Sequence, residues 1–322
     1  MLFLSPLLVL YVFFLLLGTL VAISASSWFV AWVGLELNLL SFLPVIFSES
    51  TTGSNESGVS YFFIQALASL LILVGSVFPL FVELYGSLYL INFSLFVKLG
   101  ASPFHFWFVS VMEGMGWVVC LMLMTWQSLA PLFLLMGFEI FSVICLCSAL
   151  VGAFGGFNQV SLKKILAYSS VLHVGWMLAG MGVSLRMGGF YFLVYFFMSV
   201  FVVLLLSKMK VLQLNQLMLG EVKLKVGVFL LMLSLGGFPP LLGFFPKWGV
   251  VLCLLSEDFF LMVFLLFSSL VNLYYYFRMM YGSLFLSMSF EESLVSKNGG
   301  VFLFFGVLVS TFGGVFYPVL FL

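Results

Sequence analysis

Runs of apolar residues, each close to twenty long and separated by short polar or glycine-rich breaks, recur along the whole of this chain. About twenty helical residues, rising about 1.5 Å each, match a hydrocarbon core about 30 Å thick. No water reaches the backbone at that depth, so only helices or closed barrels can satisfy their own hydrogen bonds there. The expectation is an all-α polytopic membrane protein with about eleven transmembrane helices.

The spans fall at about Leu2–Ile23, Trp28–Phe47, Val59–Leu80, Leu88–Val111, Trp117–Met136, Ile140–Phe154, Ser161–Met181 and Gly188–Ser207. A long block over Val222–Leu255 follows, then Phe259–Leu286 and Val301–Leu322. Composition agrees: only 7% of the residues are charged, against about 25% in soluble domains. Formal net charge is zero, which leaves no electrostatic footprint for nucleic acid.

The long block is the exception in the series. A straight helix over Val222–Leu255 would reach about 50 Å, well beyond the bilayer core. Its middle reads LSLGGFPPLLGFFPKW (Leu233–Trp248). Each proline there removes a donor and clashes with the preceding turn, so the helix must break. A broken helix at membrane depth is tolerated only inside protein or beside a wet cavity. Lys247 follows the break as a lone cation. An ionisable residue in such a place marks an ion pathway by default; the alternative is a lysine snorkelling from a tilted helix.

Three more ionisable residues fall deep within spans: Glu36 in the second, Lys98 midway along the fourth and His173 in the seventh. Burial disfavours the charged form of carboxylates and amines alike, so such groups can exchange protons through water. An always-charged arginine could not, and none occurs in mid-span. His105 follows Lys98 by seven residues, about two helical turns, with Pro103 between them. His173 follows Lys164 by nine residues, about 14 Å along a helix, and shares a face with Ser169, Ser170 and Trp176. Each group also has a plainer reading as a structural hydrogen-bond or ion-pair partner. Glu113, Glu139 and Glu83 sit near span ends or in a loop and read as interface charges.

Loop charge sets the orientation. Loops after even-numbered spans carry Lys163, Lys164, Lys208, Lys210, Lys223, Lys225 and Lys297, with Arg278 near the same side; odd-numbered loops carry only Arg186. The positive-inside rule puts the even loops and the N-terminus on the negative side of the membrane. The Asn55-Glu56-Ser57 sequon then falls inside, where it carries no meaning. The first span, lacking a basic or Arg/Ser-rich leader, is expected to serve as the anchor.

Cys120, Cys145, Cys147 and Cys253 match no disulfide, zinc or iron–sulfur spacing. Two histidines cannot hold two haems, and GAFGGFNQ (Gly152–Gln159) follows no strand, so it reads as a loop rather than a nucleotide site. No metal or cofactor is expected on this chain. Energy for uphill proton movement would come from a partner or another ion.

Five segments carry a resemblance: WVGLELNLLSFLPV (Trp32–Val45), KLGASPFHFWF (Lys98–Phe108), LMTWQSLAPL (ending at Leu132), GGFNQVSLKKILAYSSVLHVGWML (Gly155–Leu178) and the broken block itself. In this order, over most of the chain, they resemble the mitochondrial NADH dehydrogenase subunit 2 family. That family comprises antiporter-like, proton-translocating membrane subunits of respiratory complex I; animal members resemble bacterial ones lacking three N-terminal helices, which leaves eleven. The resemblance implies one antiporter-like transmembrane domain over residues 1–322, with the N-terminus on the matrix side and the C-terminus on the intermembrane-space side. It implies a mitochondrial inner-membrane location, neighbouring antiporter-like subunits and lipids such as cardiolipin as partners. NADH, FMN, iron–sulfur clusters and ubiquinone would be held by other subunits. It further implies that Glu36 pairs with Lys98, that Lys247 is the distal lysine on a discontinuous helix, and that His173 lies on the central axis. His105, Ser128 and Lys164 are further candidates.

Two departures stand out. Many relatives read TWQK where this chain has Thr125-Trp126-Gln127-Ser128; a hydroxyl can hold water but cannot carry the relay's charge. The segment after the HFW motif, FVSVMEG, also differs, so Glu113 has no clear counterpart. A free-standing cation/proton antiporter and a structural subunit with a decayed relay are the alternative readings.

Overall fold

The computed structural model describes residues 6–77, 84–135, 141–217, 222–285 and 306. The expected eleventh span, together with Glu83, Glu139, Lys297 and the side chain of Lys223, lies outside the described residues, Gly306 excepted. Among the described residues the chain forms fourteen α-helices and no strand. Seven stretches among the described residues are long and apolar enough to cross a membrane, and three shorter apolar helices accompany them. The chain divides into two compact units, Met1–Phe138 and Glu139–Leu322.

The first unit holds α1 (Pro6–Ile23), α2 (Trp28–Phe47), α3 (Thr52–Val77), α4 (Leu84–Leu99), α5 (Phe106–Gly114), α6 (Trp117–Met124) and α7 (Trp126–Leu134). Helices α1 and α2 pack backbone to backbone. A Cβ on Gly34 would lie 2.5 Å from the Ala22 nitrogen, and one on Gly18 2.9 Å from the Asn38 nitrogen. Small residues allow that approach, which supplies the van der Waals contact that holds helices together in lipid. Large apolar side chains such as Leu7, Phe13, Leu20 and Phe63 stay exposed, as lipid-facing residues do.

The expected fourth span is broken. Helix α4 ends at Leu99, residues 100–105 are irregular with a cis Ser102–Pro103 peptide, and α5 starts at Phe106. The end is a Schellman motif: Gly100 has φ +67°, its N–H donates to the Val97 carbonyl (3.1 Å), and the Ala101 N–H donates to that of Phe96 (3.2 Å). Glycine takes this left-handed turn without strain. Lys98 is thus in the last turn of α4 instead of mid-span, where a cation suits the helix's negative end. His105 is no longer two turns along the same helix; it caps the start of α5.

The expected fifth span breaks as well, at Thr125 between α6 and α7. The Thr125 hydroxyl bonds back to the Leu121 carbonyl at 2.7 Å, and Pro131 inside α7 withdraws the donor that the Gln127 carbonyl would need.

The second unit holds α8 (Phe141–Gly155), α9 (Leu162–Val183), α10 (Leu185–Met209), α11 (Leu214–Leu217), α12 (Val222–Gly236), α13 (Phe244–Glu257) and α14 (Phe259–Phe285). Helix α9 is buried on nearly all sides, packed by α8, α10, α13 and α14. The glycines of GAFGGFNQ do not all lie in a loop. Gly152 and Gly155 belong to the last turn of α8, and a Cβ on Gly152 would meet the Leu172 nitrogen at 2.5 Å. They are there to seat α9.

The long block breaks as its prolines require. Helix α12 ends at Gly236 in a second Schellman motif: Gly237, φ +81°, donates to Ser234 (3.0 Å) and Phe238 to Leu233 (3.1 Å). Lys225, counted above among loop charges, lies in the first turn of α12 and is buried.

Candidate functional site

Each unit carries a polar centre at the end of a broken helix. In the first, Lys98 is only 6% exposed. The carbonyls around it gain side-chain donors: Trp107 Nε1 donates to Val97 O (3.0 Å), which also accepts the Gly100 N–H, and Gln65 Nε2 donates to Lys98 O (3.2 Å). The HFW motif returns to close the helix that the glycine ended. Glu36, on α2, acts electrostatically on Lys98 and on the Tyr61 hydroxyl. It makes no direct ion pair with Lys98, and its Oε2 is buried without a hydrogen-bond partner.

A chain of neutral groups runs beside them. The Tyr61 hydroxyl donates to Gln127 Oε1 (3.3 Å), and Gln127 Nε2 donates to Asn38 Oδ1 (3.2 Å). A small cavity is lined by Asn38, Tyr61, Gln65, Lys98, Gln127 and apolar neighbours; its free space is close to what one water needs. Ser128 is buried next to Gln127, but its hydroxyl donates to the Met124 (3.2 Å) and Thr125 (2.8 Å) carbonyls of its own helix segment. The polar cavity is therefore at Gln127, one residue away. His105 is buried at the α5 start and does not line it. Glu113 is exposed near the end of α5.

In the second unit Lys247 lies one turn into α13, 5% exposed. Its Nζ donates to the Gly236 carbonyl, the last of α12, at 2.7 Å. It also stands 5.7 Å over the Trp176 ring. The two halves of the break thus meet through this lysine, and a Cβ on Gly237 would come within 2.9 Å of its Cδ. Trp176 stacks on Tyr191 (centroids 6.4 Å, 11°), and the Tyr191 hydroxyl lies 2.8 Å from His173 Nδ1. His173 is buried, and its Nε2 has no protein partner. Lys164 is half-buried in the first turn of α9, about 14 Å below His173 on the helix rise, outside this cluster.

Lys247, Trp176, Tyr191 and His173 are therefore brought together, and Lys98 is joined by Tyr61, Gln65, Asn38 and Gln127. The amides and tyrosines were not anticipated from the sequence. Asn38 and Gln65 are polar residues inside apolar runs, a signal that was present; Tyr191 gives no such signal in GGFYFLVYFF. Among the described residues no three His, Cys, Asp or Glu side chains group to hold a metal. Chemically, both centres offer a buried amine at a helix end, close to neutral hydrogen-bonding groups.

Residues 79–272 match the family model described as NADH:quinone oxidoreductase/Mrp antiporter, transmembrane. The chain is 40% identical to NADH-ubiquinone oxidoreductase chain 2 of Anopheles gambiae, over 89% of each chain. It is 37% identical to the protein of the same name in Locusta migratoria, covering 84% of this chain and 83% of that one. Among solved structures, a chain of respiratory complex I from Thermus thermophilus, solved with bound aureothin, superposes with a TM-score of 0.81. Identity there is 24%, and 98% of this chain and 80% of that chain are covered. A chain of the Mrp complex from a Dietzia species superposes with a TM-score of 0.78 at 18% identity, over 90% of this chain and 62% of that one.

Proposed function

Since this chain belongs to the NADH-ubiquinone oxidoreductase chain 2 family, within the NADH:quinone oxidoreductase/Mrp antiporter group, we propose that it is a proton-translocating membrane-arm subunit of respiratory complex I. As part of that proton-translocating NADH:ubiquinone reductase, it moves protons while NADH, FMN, iron–sulfur clusters and ubiquinone react in partner subunits. Glu36 and Lys98 serve the first unit, His173 and Lys247 the second. The two units work as one transmembrane domain in the mitochondrial inner membrane, its N-terminus on the matrix side. Neighbouring antiporter-like subunits and lipids such as cardiolipin surround it.

The observation that carries this reading is Lys247, buried and hydrogen-bonded to the open carbonyl end of α12. That carbonyl end is a fixed partial negative charge. It gives the amine a fixed partner in a place where a free charge would be expelled. In the first unit Gln127, Asn38 and Tyr61, with the one-water cavity between them, stand where a second amine is missing at Ser128. They orient water for Lys98. His105 and Lys164 lie outside both centres and take no step in this reading. Moving one charge against about 100 mV costs about 2.3 kcal/mol, so the path must be gated.

The test is native electrophoresis of mildly solubilised mitochondrial membranes, with peptide sequencing of the band that stains for NADH dehydrogenase activity. The chain is expected in the large active band. Recovery only from a small band without that activity would overturn the assignment and favour an independent antiporter.

A further inference from the structure

Helix α14 contributes a polar patch that the relay above does not use. Asn272, Tyr275 and Tyr276 are buried in the second unit, Asn272 and Tyr276 completely. The Tyr276 hydroxyl approaches Ser169, Tyr275 and Asn272. Even so, the hydroxyls of Tyr275 and Tyr276 and both ends of the Asn272 amide fall outside hydrogen-bonding geometry with any protein group. Four such atoms in one place, each costing about 1–3 kcal/mol if left dry, call for bridging water. The patch has two ends. Toward the centre, the Tyr276 ring lies against Gly236, whose carbonyl receives Lys247. Ser169, which Tyr276 approaches, is one helical turn before His173 on α9, and the Tyr195 ring lies 5.0 Å from that of His173. His173 Nδ1 is held by Tyr191, which leaves Nε2, buried and unpartnered, as its other face. Toward the membrane surface, the Tyr275 ring lies against Gly156, just after α8. There Arg278 Nη1 donates to Phe157 O (3.0 Å), and Tyr274 stacks on Phe157 at 5.2 Å. The same turn leads to Lys163 and Lys164 at the start of α9.

We propose that Asn272, Tyr275 and Tyr276 form a water-bridged proton branch joining His173 to the α8–α9 turn. The branch rests on the relay reading and adds its connection to the lysine-rich face. A proton entering from water at that turn passes along the hydroxyls. Each oxygen accepts one proton as it releases its own to the next water, so charge moves and every group ends as it began. The Asn272 amide orients the water and takes no proton. Tyr275 and Tyr276 thus carry the proton toward His173, and Asn272 is a positioning residue for the water between them.

The experiment uses the intact complex in proteoliposomes, driven by NADH and a quinone, with Tyr276→Phe, Asn272→Leu and Lys247→Met carried separately. Tyr276→Phe removes one oxygen from a packed ring and is the variant least able to disturb folding. Tyr276→Phe and Asn272→Leu are each expected to slow proton pumping about tenfold, the worth of one lost hydrogen bond, with the complex assembled. Native pumping in both, while Lys247→Met lowers the protons moved per electron pair, overturns the branch and leaves the relay standing. Native pumping in Lys247→Met overturns the relay itself. If a variant fails to assemble, a high-resolution map of the wild-type complex decides. Ordered water touching Asn272 and Tyr276 supports the branch; direct, water-free hydrogen bonds among these groups overturn it.

Discussion

Replacing Lys247 by methionine separates the electrostatic role of this side chain from its packing. The amine makes a charge-assisted hydrogen bond to Gly236 O at 2.7 Å, worth about 1.5–3 kcal/mol. Its position over Trp176 adds about 0.5–2 kcal/mol. Against these stands the cost of keeping an ammonium at 5% exposure, several kcal/mol for a buried ion. The opposing terms are of similar size, so Lys247→Met should assemble, with an unbranched chain of similar volume filling the same space. Lys247→Arg keeps the charge, but its guanidinium stays protonated under all working conditions. Both variants are expected in the active band on native gels. Both should lose the pumping that depends on this centre, read as protons moved per electron pair in proteoliposomes. A native proton-to-electron ratio in either assembled variant would refute the argument that Lys247 must give up and regain a proton.

Three further substitutions test the surroundings. Gly243→Ala drives a Cβ into the Ser234 carbonyl, a backbone clash; it should leave no complex on native gels, and normal assembly would contradict the geometry of the break. Tyr191→Phe removes the hydroxyl at His173 Nδ1, a loss of about 1–3 kcal/mol; pumping should fall several-fold in an assembled complex, and an unchanged rate would remove Tyr191 from the site. Gln127→Leu breaks two hydrogen bonds, to Tyr61 and Asn38, and dries the cavity. It should slow pumping about tenfold on a similar loss, and an unchanged rate would argue that the amide chain is only structural.

Apolar length alone placed most of the helices, because lipid leaves the backbone so few options. The break at Leu233–Trp248 was legible for the same reason: three prolines in an over-long block cannot continue a helix. The break after Lys98 was not. One glycine and one proline in LGASP look tolerable inside a span, and it is the return of Trp107 to the Val97 carbonyl, a contact ten residues away, that stabilises the helix end. Nor was the division at Thr125 visible, since it arises from a hydroxyl bonding back to its own helix. Of the candidate residues, Lys247 and His173 stood out as charges in apolar sequence and fall in one cluster. His105 had the same signal, yet the break turns it away. Tyrosines are different: their rings look apolar in a span, and only packing reveals whether the hydroxyl meets lipid headgroups or a buried histidine.

The two Schellman ends have a consequence for speed. Gly100 and Gly237 close their helices with backbone bonds, so the carbonyl fields at Lys98 and Lys247 are fixed in the folded chain before any proton arrives. When a proton arrives or leaves, little around the amine has to rotate. A site whose dipoles are already aligned avoids the reorganisation that water would demand at each transfer. The rate of the cycle would then be set by the motions that admit water and shut it out, with the amines ready throughout.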